Sequence, residues 1–137
     1  MTETDEFNNP LPVGAIPLRK VGPSAYVRFG VDELEKLEGW IYDFAGKDSA
    51  PWEVALARLE VMDRRFMAVL LDTGLTNAKP ADAFAAMPLS ELAEHLSDAI
   101  CQILYGRNFR EQIEHNQAKA HAYALKMRSV VEGKEDA

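Results

Sequence analysis

Tyr26-Val27-Arg28-Phe29-Gly30-Val31-Asp32-Glu33-Leu34-Glu35-Lys36-Leu37-Glu38 changes its period part-way along, and that change decides the fold class. Over residues 26–31 apolar and charged side chains alternate around the turn-forming Gly30, the pattern of a half-buried strand. From Asp32 the spacing becomes helical, and Leu34, Leu37 and Ile41 fall on one face. Asp32 is placed to accept from the free N–H groups of the first turn and Glu35 to reach back, the reciprocal geometry of a capping box. A strand therefore feeds a helix, and nothing in the stretch has a catalytic pattern.

Upstream, Ile16-Pro17-Leu18-Arg19-Lys20-Val21 is separated from this strand by Gly22-Pro23-Ser24, which predicts a β-hairpin. Pro17 confines its strand to an edge, because it has no N–H for a central ladder. A lone hairpin is marginal in water, so this one must pack on the helices or pair with strands of another chain. The second option makes Leu18, Val27 and Phe29 candidate partner-contact residues. Residues 1–15 are acidic and carry Asn8-Asn9-Pro10-Leu11-Pro12, a composition expected of a flexible arm.

Downstream, Ser49 is expected as the N-cap of a helix with Pro51 in its first turn. Trp52, Leu56, Leu59, Met62, Phe66, Val69 and Leu70 continue at helical spacing to a stop at Gly74. A short helix follows Lys79-Pro80 and ends at Pro88. A further helix runs from Leu89 through Leu104 to Gly106, a residue suited to the left-handed stop position. Asn108 and Glu111 repeat the capping-box spacing and open a last long helix. The expected architecture is mainly α: a helical bundle of four to five helices with a short N-terminal β-hairpin. It forms one globular domain over residues 16–131, with a helical core over 31–106 and a disordered tail over 132–137.

The last helix has a different period. Phe109, Ile113, Asn116, Ala120, Tyr123, Met127 and Val130 are spaced alternately four and three apart, a heptad seam with one polar Asn in it. Such a seam implies a partner helix, either in the protein's own core or in another chain. Phe109, Ile113, Asn116, Tyr123, Met127 and Val130 are therefore candidate partner-binding residues.

Composition narrows the function classes. The 137 residues suffice for one domain with its own core. The single Cys101 forms neither an internal disulfide nor a cysteine metal cage, and its apolar neighbours read as a buried site. A net charge of −7 opposes general attraction to nucleic acid or anionic membrane. The longest apolar run, residues 66–71, is far short of the ~20 residues of a membrane helix, and no signal peptide opens the chain. A soluble, cytoplasmic protein is expected.

Catalytic signals are weak throughout. His115 and His121 are six apart and so lie on different helix faces, where two ligands cannot share a metal. His95 stands alone. Gly14, Gly22 and Gly30 do not form a phosphate cradle between a strand and a helix. Glu33, Glu35 and Glu38, like Glu91, Glu94 and Asp98, could serve acid–base work only if their two helices faced each other; as the wet side of amphipathic helices they need no such role. Trp40, Tyr42, Phe44 and Trp52 read as a hydrophobic corner, with a partner anchor as the alternative. Neither an enzyme nor a cofactor is expected.

The hairpin strand followed by Leu34, Leu37 and Glu38, and a later helix ending in Leu70 and Leu71 followed by Gly74 and Leu75, resembles the small tail assembly chaperones of long-tailed bacteriophages and gene transfer agents. The resemblance covers roughly residues 16 to 105. It implies a non-enzymatic protein of the bacterial host cytoplasm that coats the long helical tape measure protein, keeps it soluble until tail tube subunits polymerise, and acts as a homo-oligomer. Two other classes stand beside it: a structural tail or head-completion subunit retained in the virion, and an acidic inhibitor or adaptor that blocks a nucleic-acid-binding partner.

Overall fold

The computed structural model describes residues 10–131, with side chains through Arg128. Three two-residue strands, β1 (Ile16–Pro17), β2 (Tyr26–Val27) and β3 (Leu75–Thr76), form an antiparallel sheet in the order β1-β2-β3. The helices are α1 (Val31–Ala45), α2 (Pro51–Glu60), α3 (Arg64–Gly74), α4 (Pro80–Ala86), α5 (Leu89–Tyr105) and α6 (Phe109–Val131). The fold is mainly helical with a small sheet near its N-terminus, as the change of period predicts.

The hairpin forms with Ile16 opposite Val27 and Pro17 opposite Tyr26, and Pro17 lies on the edge strand. Its partner on the other side, β3, pairs Val27 with Leu75 and Tyr26 with Thr76. Two residues are too few to show a period, so this strand has no signal in the sequence. Of the two options for the hairpin, packing on the helices prevails. Leu18, Val27 and Phe29 are 1%, 0% and 0% exposed and sit in the core with Leu37, Ile41, Met67, Leu70, Leu96 and Ile100. Each such apolar side chain contributes roughly 1.5–3 kcal/mol relative to exposure.

Three local expectations are corrected. α1 starts two residues earlier than the capping box requires: Gly30 is the N-cap, its carbonyl accepts from Leu34 N–H at 2.9 Å, and no side chain caps the helix. Asp32 and Glu33 instead place negative charge in the first turn, at the positive end of the helix dipole. At α2 the N-cap is Ala50, not Ser49, because Pro51 takes the first helical position and holds the residue before it extended; the Ser49 hydroxyl donates to the Gly46 carbonyl at 2.7 Å. The single helix expected over residues 51–74 is two. Met62 adopts a left-handed φ of 54°, and Asp63 caps α3, its Oδ1 accepting from Arg65 N–H at 3.1 Å and Phe66 N–H at 3.2 Å.

The expected flexible arm is folded onto the domain from Pro10 onward; its first nine residues lie outside the described residues. Leu11 and Ala15 are buried, and Arg28 Nε donates to the Val13 carbonyl at 2.6 Å. Gly14 runs against Ile103 of α5 in a left-handed conformation, φ 84°, where a Cβ would collide with that side chain. The tail call over residues 132–137 also lies outside the described residues.

Candidate interaction surface

The surface is built around α6. Gly106 ends α5 in the left-handed conformation, φ 70°, and Asn108 starts α6: Glu111 N–H donates to Asn108 Oδ1 at 2.8 Å, while Asn108 N–H donates to Glu111 Oε1 at 3.0 Å. The capping box predicted at this point is present. A second tether comes from α5, where Asp98 Oδ1 accepts from Phe109 N–H at 2.9 Å. Partial burial holds the Asp98 carboxyl above the usual carboxylate range, with Glu94 adding to the rise and the Phe109 N–H, His95 and Arg110 opposing it.

Beyond this root the helix leaves the domain. Its 23 residues extend about 34 Å at 1.5 Å per residue, and from Ile113 through Arg128 every side chain is exposed. Ala118, Ala120, Ala122 and Ala124 give this stretch strong helix propensity, which suits a helix with little tertiary support. Tyr123 is 65% exposed and Met127 42%, large apolar groups on the distal part of the seam, and Ile113, nearer the root, is 38% exposed. Leu125, 51% exposed, lies on another face.

The predicted partner-binding residues therefore separate into two groups. Phe109, half-buried, sits at the root; Ile113, Asn116, Tyr123 and Met127 line one exposed face, and the side chain of Val130 lies outside the described residues. Leu18, Val27 and Phe29 are removed from any contact surface, because all three are core residues and β2 is the middle strand. The choice left open by the heptad pattern is resolved for the distal part of the seam: it does not pack on its own core.

Sequence reasoning missed the groove beside the root. α2, α5 and α6 line an open groove of about 1000 Å³ whose apolar lining includes Leu56, Met62, Phe109 and Ile113. Glu53, Glu60, Glu94 and Glu114 stand along it. The signal available in the sequence was the seven-residue spacing of Glu53 and Glu60, which sets both on one face of α2.

The remaining candidates fall into structural roles. Cys101 is fully buried, and that burial, with the nearby Asp98 charge, pushes its thiol up to about 11. Glu91 pairs with Lys20 at 2.7 Å, and Glu38 accepts from Trp52 Nε1 at 3.2 Å. Trp40 contacts the rings of Phe44 and Phe66, both at 5.1 Å, which closes the corner between α1 and α3. Among the described residues no group of three or more His, Cys, Asp and Glu is placed to hold a metal ion, and no helix is long and apolar enough to cross a membrane.

No protein-family model matches the chain, and no curated protein or solved structure matches it either. The residues that carry the tail-chaperone resemblance have packing roles: Leu37, Leu70 and Leu71 are core, and Gly74 lies against Phe29.

Proposed function

We propose that the protein is a non-catalytic assembly factor of the tail-chaperone kind, which covers the apolar stripe of a long helical client such as a tape measure protein and keeps it soluble. The observation that carries this reading is the exposed seam of α6. A helix held at its root by Asn108, Glu111 and Asp98, with Ile113, Tyr123 and Met127 facing solvent, is suited to pairing with a helix from another chain. An apolar stripe on a client would aggregate if left bare, and pairing buries both stripes at once. The net charge of −7 supports solubility of the resulting assembly.

The test is co-expression with a tape measure protein from the same source, followed by mass and copy-number analysis of the soluble complex. Many copies of this chain on one long helical partner support the reading. A client that pellets in the presence of the chain, or a complex only with a nuclease or another nucleic-acid-binding protein, rejects it.

A further inference from the structure

We propose that the groove at the root of α6 receives the distal part of α6 from a second copy of this chain. The two surfaces carry opposite net charge: Glu53, Glu60, Glu94, Asp98 and Glu114 line the groove against one cation, Arg110. Residues 115–131 contain Lys119, Lys126 and Arg128 and no acid, although the chain as a whole is at −7. The groove has Glu53 and Glu60 on its α2 side, both exposed, and no ion pair among the described residues engages either one. Beyond residue 131 the sequence turns acidic again with Glu132, Glu135 and Asp136, which confines the basic stretch to the distal part of α6.

The spacing also agrees. Lys119 and Lys126 are seven residues apart on one helix, and Glu53 and Glu60 are seven apart on another. Two turns place each pair about 10.5 Å apart along its axis, so both cations meet both acids in a single register. Tyr123 and Met127, on the seam beside the two lysines, then meet the apolar lining at Leu56 and Met62. This is a helix laid in a groove with charged flanks, the arrangement in which apolar anchors supply affinity and charges fix register.

Two other occupants fit less well. The chain's own α6 cannot fill the groove, because residues 109–117 of that helix form one of its walls and the side chains from 118 to 128 are exposed. An antiparallel pairing of two α6 helices sets Lys119 and Lys126 of one chain against those of the other, and a parallel one has a weak centre of Asn116 and Ala120. Docking of helix into groove joins two different surfaces, so each copy offers both and assembly continues from copy to copy. The inference goes beyond the client reading: the face of α6 that takes a client is held in a neighbour's groove until a client displaces it, and the test needs only the purified chain.

Sedimentation velocity on the full-length chain, across a concentration series at low and high salt, reads the association. Wild type is expected to form species larger than a monomer that shrink at high salt. Lys119→Glu/Lys126→Glu and Glu53→Lys/Glu60→Lys should each weaken self-association about tenfold or more, since like charges then face each other, with unchanged helical circular dichroism. An equimolar mixture of the two variants should regain it, because each supplies the surface the other lacks. A wild type that stays monomeric, a groove variant that associates like wild type, or a mixture that does not recover would each overturn the proposal.

Discussion

Asp98 Oδ1 accepts a hydrogen bond from the backbone N–H of Phe109 at 2.9 Å, and through it the last turns of α5 fix the direction in which α6 leaves the domain. The same carboxyl is partly buried and has its pKa raised, so it ionises less readily in the folded protein than in water. A group with a raised folded-state pKa contributes stability at low pH that is lost as pH rises through that pKa.

Asp98→Asn keeps an acceptor for Phe109 and removes the desolvated charge. It should therefore raise the melting temperature near neutral pH. The advantage should fade as pH falls through the raised pKa, where wild type carries a neutral carboxyl too. Asp98→Ala leaves the N–H without its acceptor and should cost about 1 kcal/mol by urea titration at neutral pH.

Gly74 ends α3 where the chain passes closest to β2. A Cβ there would stand 2.6 Å from Phe29 Cε1 and 2.9 Å from the Arg28 carbonyl oxygen, and the backbone oxygen is held in place because the Arg28 N–H donates to the Gly74 carbonyl at 3.0 Å. Gly74→Ala should destabilise the fold by roughly 1–3 kcal/mol, the cost of overpacking a filled core. Denaturant unfolding of the two proteins side by side checks it.

Cys101 should be inert in the native state. With its thiol pushed up to about 11 from an ordinary 9.0, the thiolate fraction at pH 8 falls about a hundredfold, and complete burial slows attack further. Labelling with a thiol reagent should be at least that much slower in buffer than in denaturant.

These predictions mark what was legible in the sequence. The hairpin, Gly106, and the Asn108–Glu111 cap were readable because each depends on residues a few positions apart. So was the mainly helical class. The break at Met62 was not, because the apolar spacing from Trp52 to Leu70 runs through it and the left-handed turn leaves no mark on that period. β3 was too short to show a period. The groove was invisible for another reason: its walls come from α2, α5 and α6, and only tertiary packing brings Glu53 near Ile113. The partner residues divided on the same ground. Val27 and Phe29 were assigned from a strand whose place in the sheet depended on an unseen third strand, whereas the α6 seam was assigned from a heptad that needs no outside information.

The free chain should also show α6 as its least protected helix. From Gln117 to Arg128 no side chain is buried, so opening costs little beyond the helix's own propensity. Hydrogen exchange should release these amides well before those of α5, whose Leu92, Leu96 and Ile100 are fully buried. Addition of a client helix should protect them.

The central claim is that the exposed seam of α6 holds a helical client. Tyr123→Ser/Met127→Ser removes its two large distal groups without touching the core, so the double variant should melt with the wild type. Co-expressed with a tape measure protein from the same source, wild type should keep that client in the soluble fraction and the double variant should let it pellet. A client that stays equally soluble with the folded double variant would contradict the account.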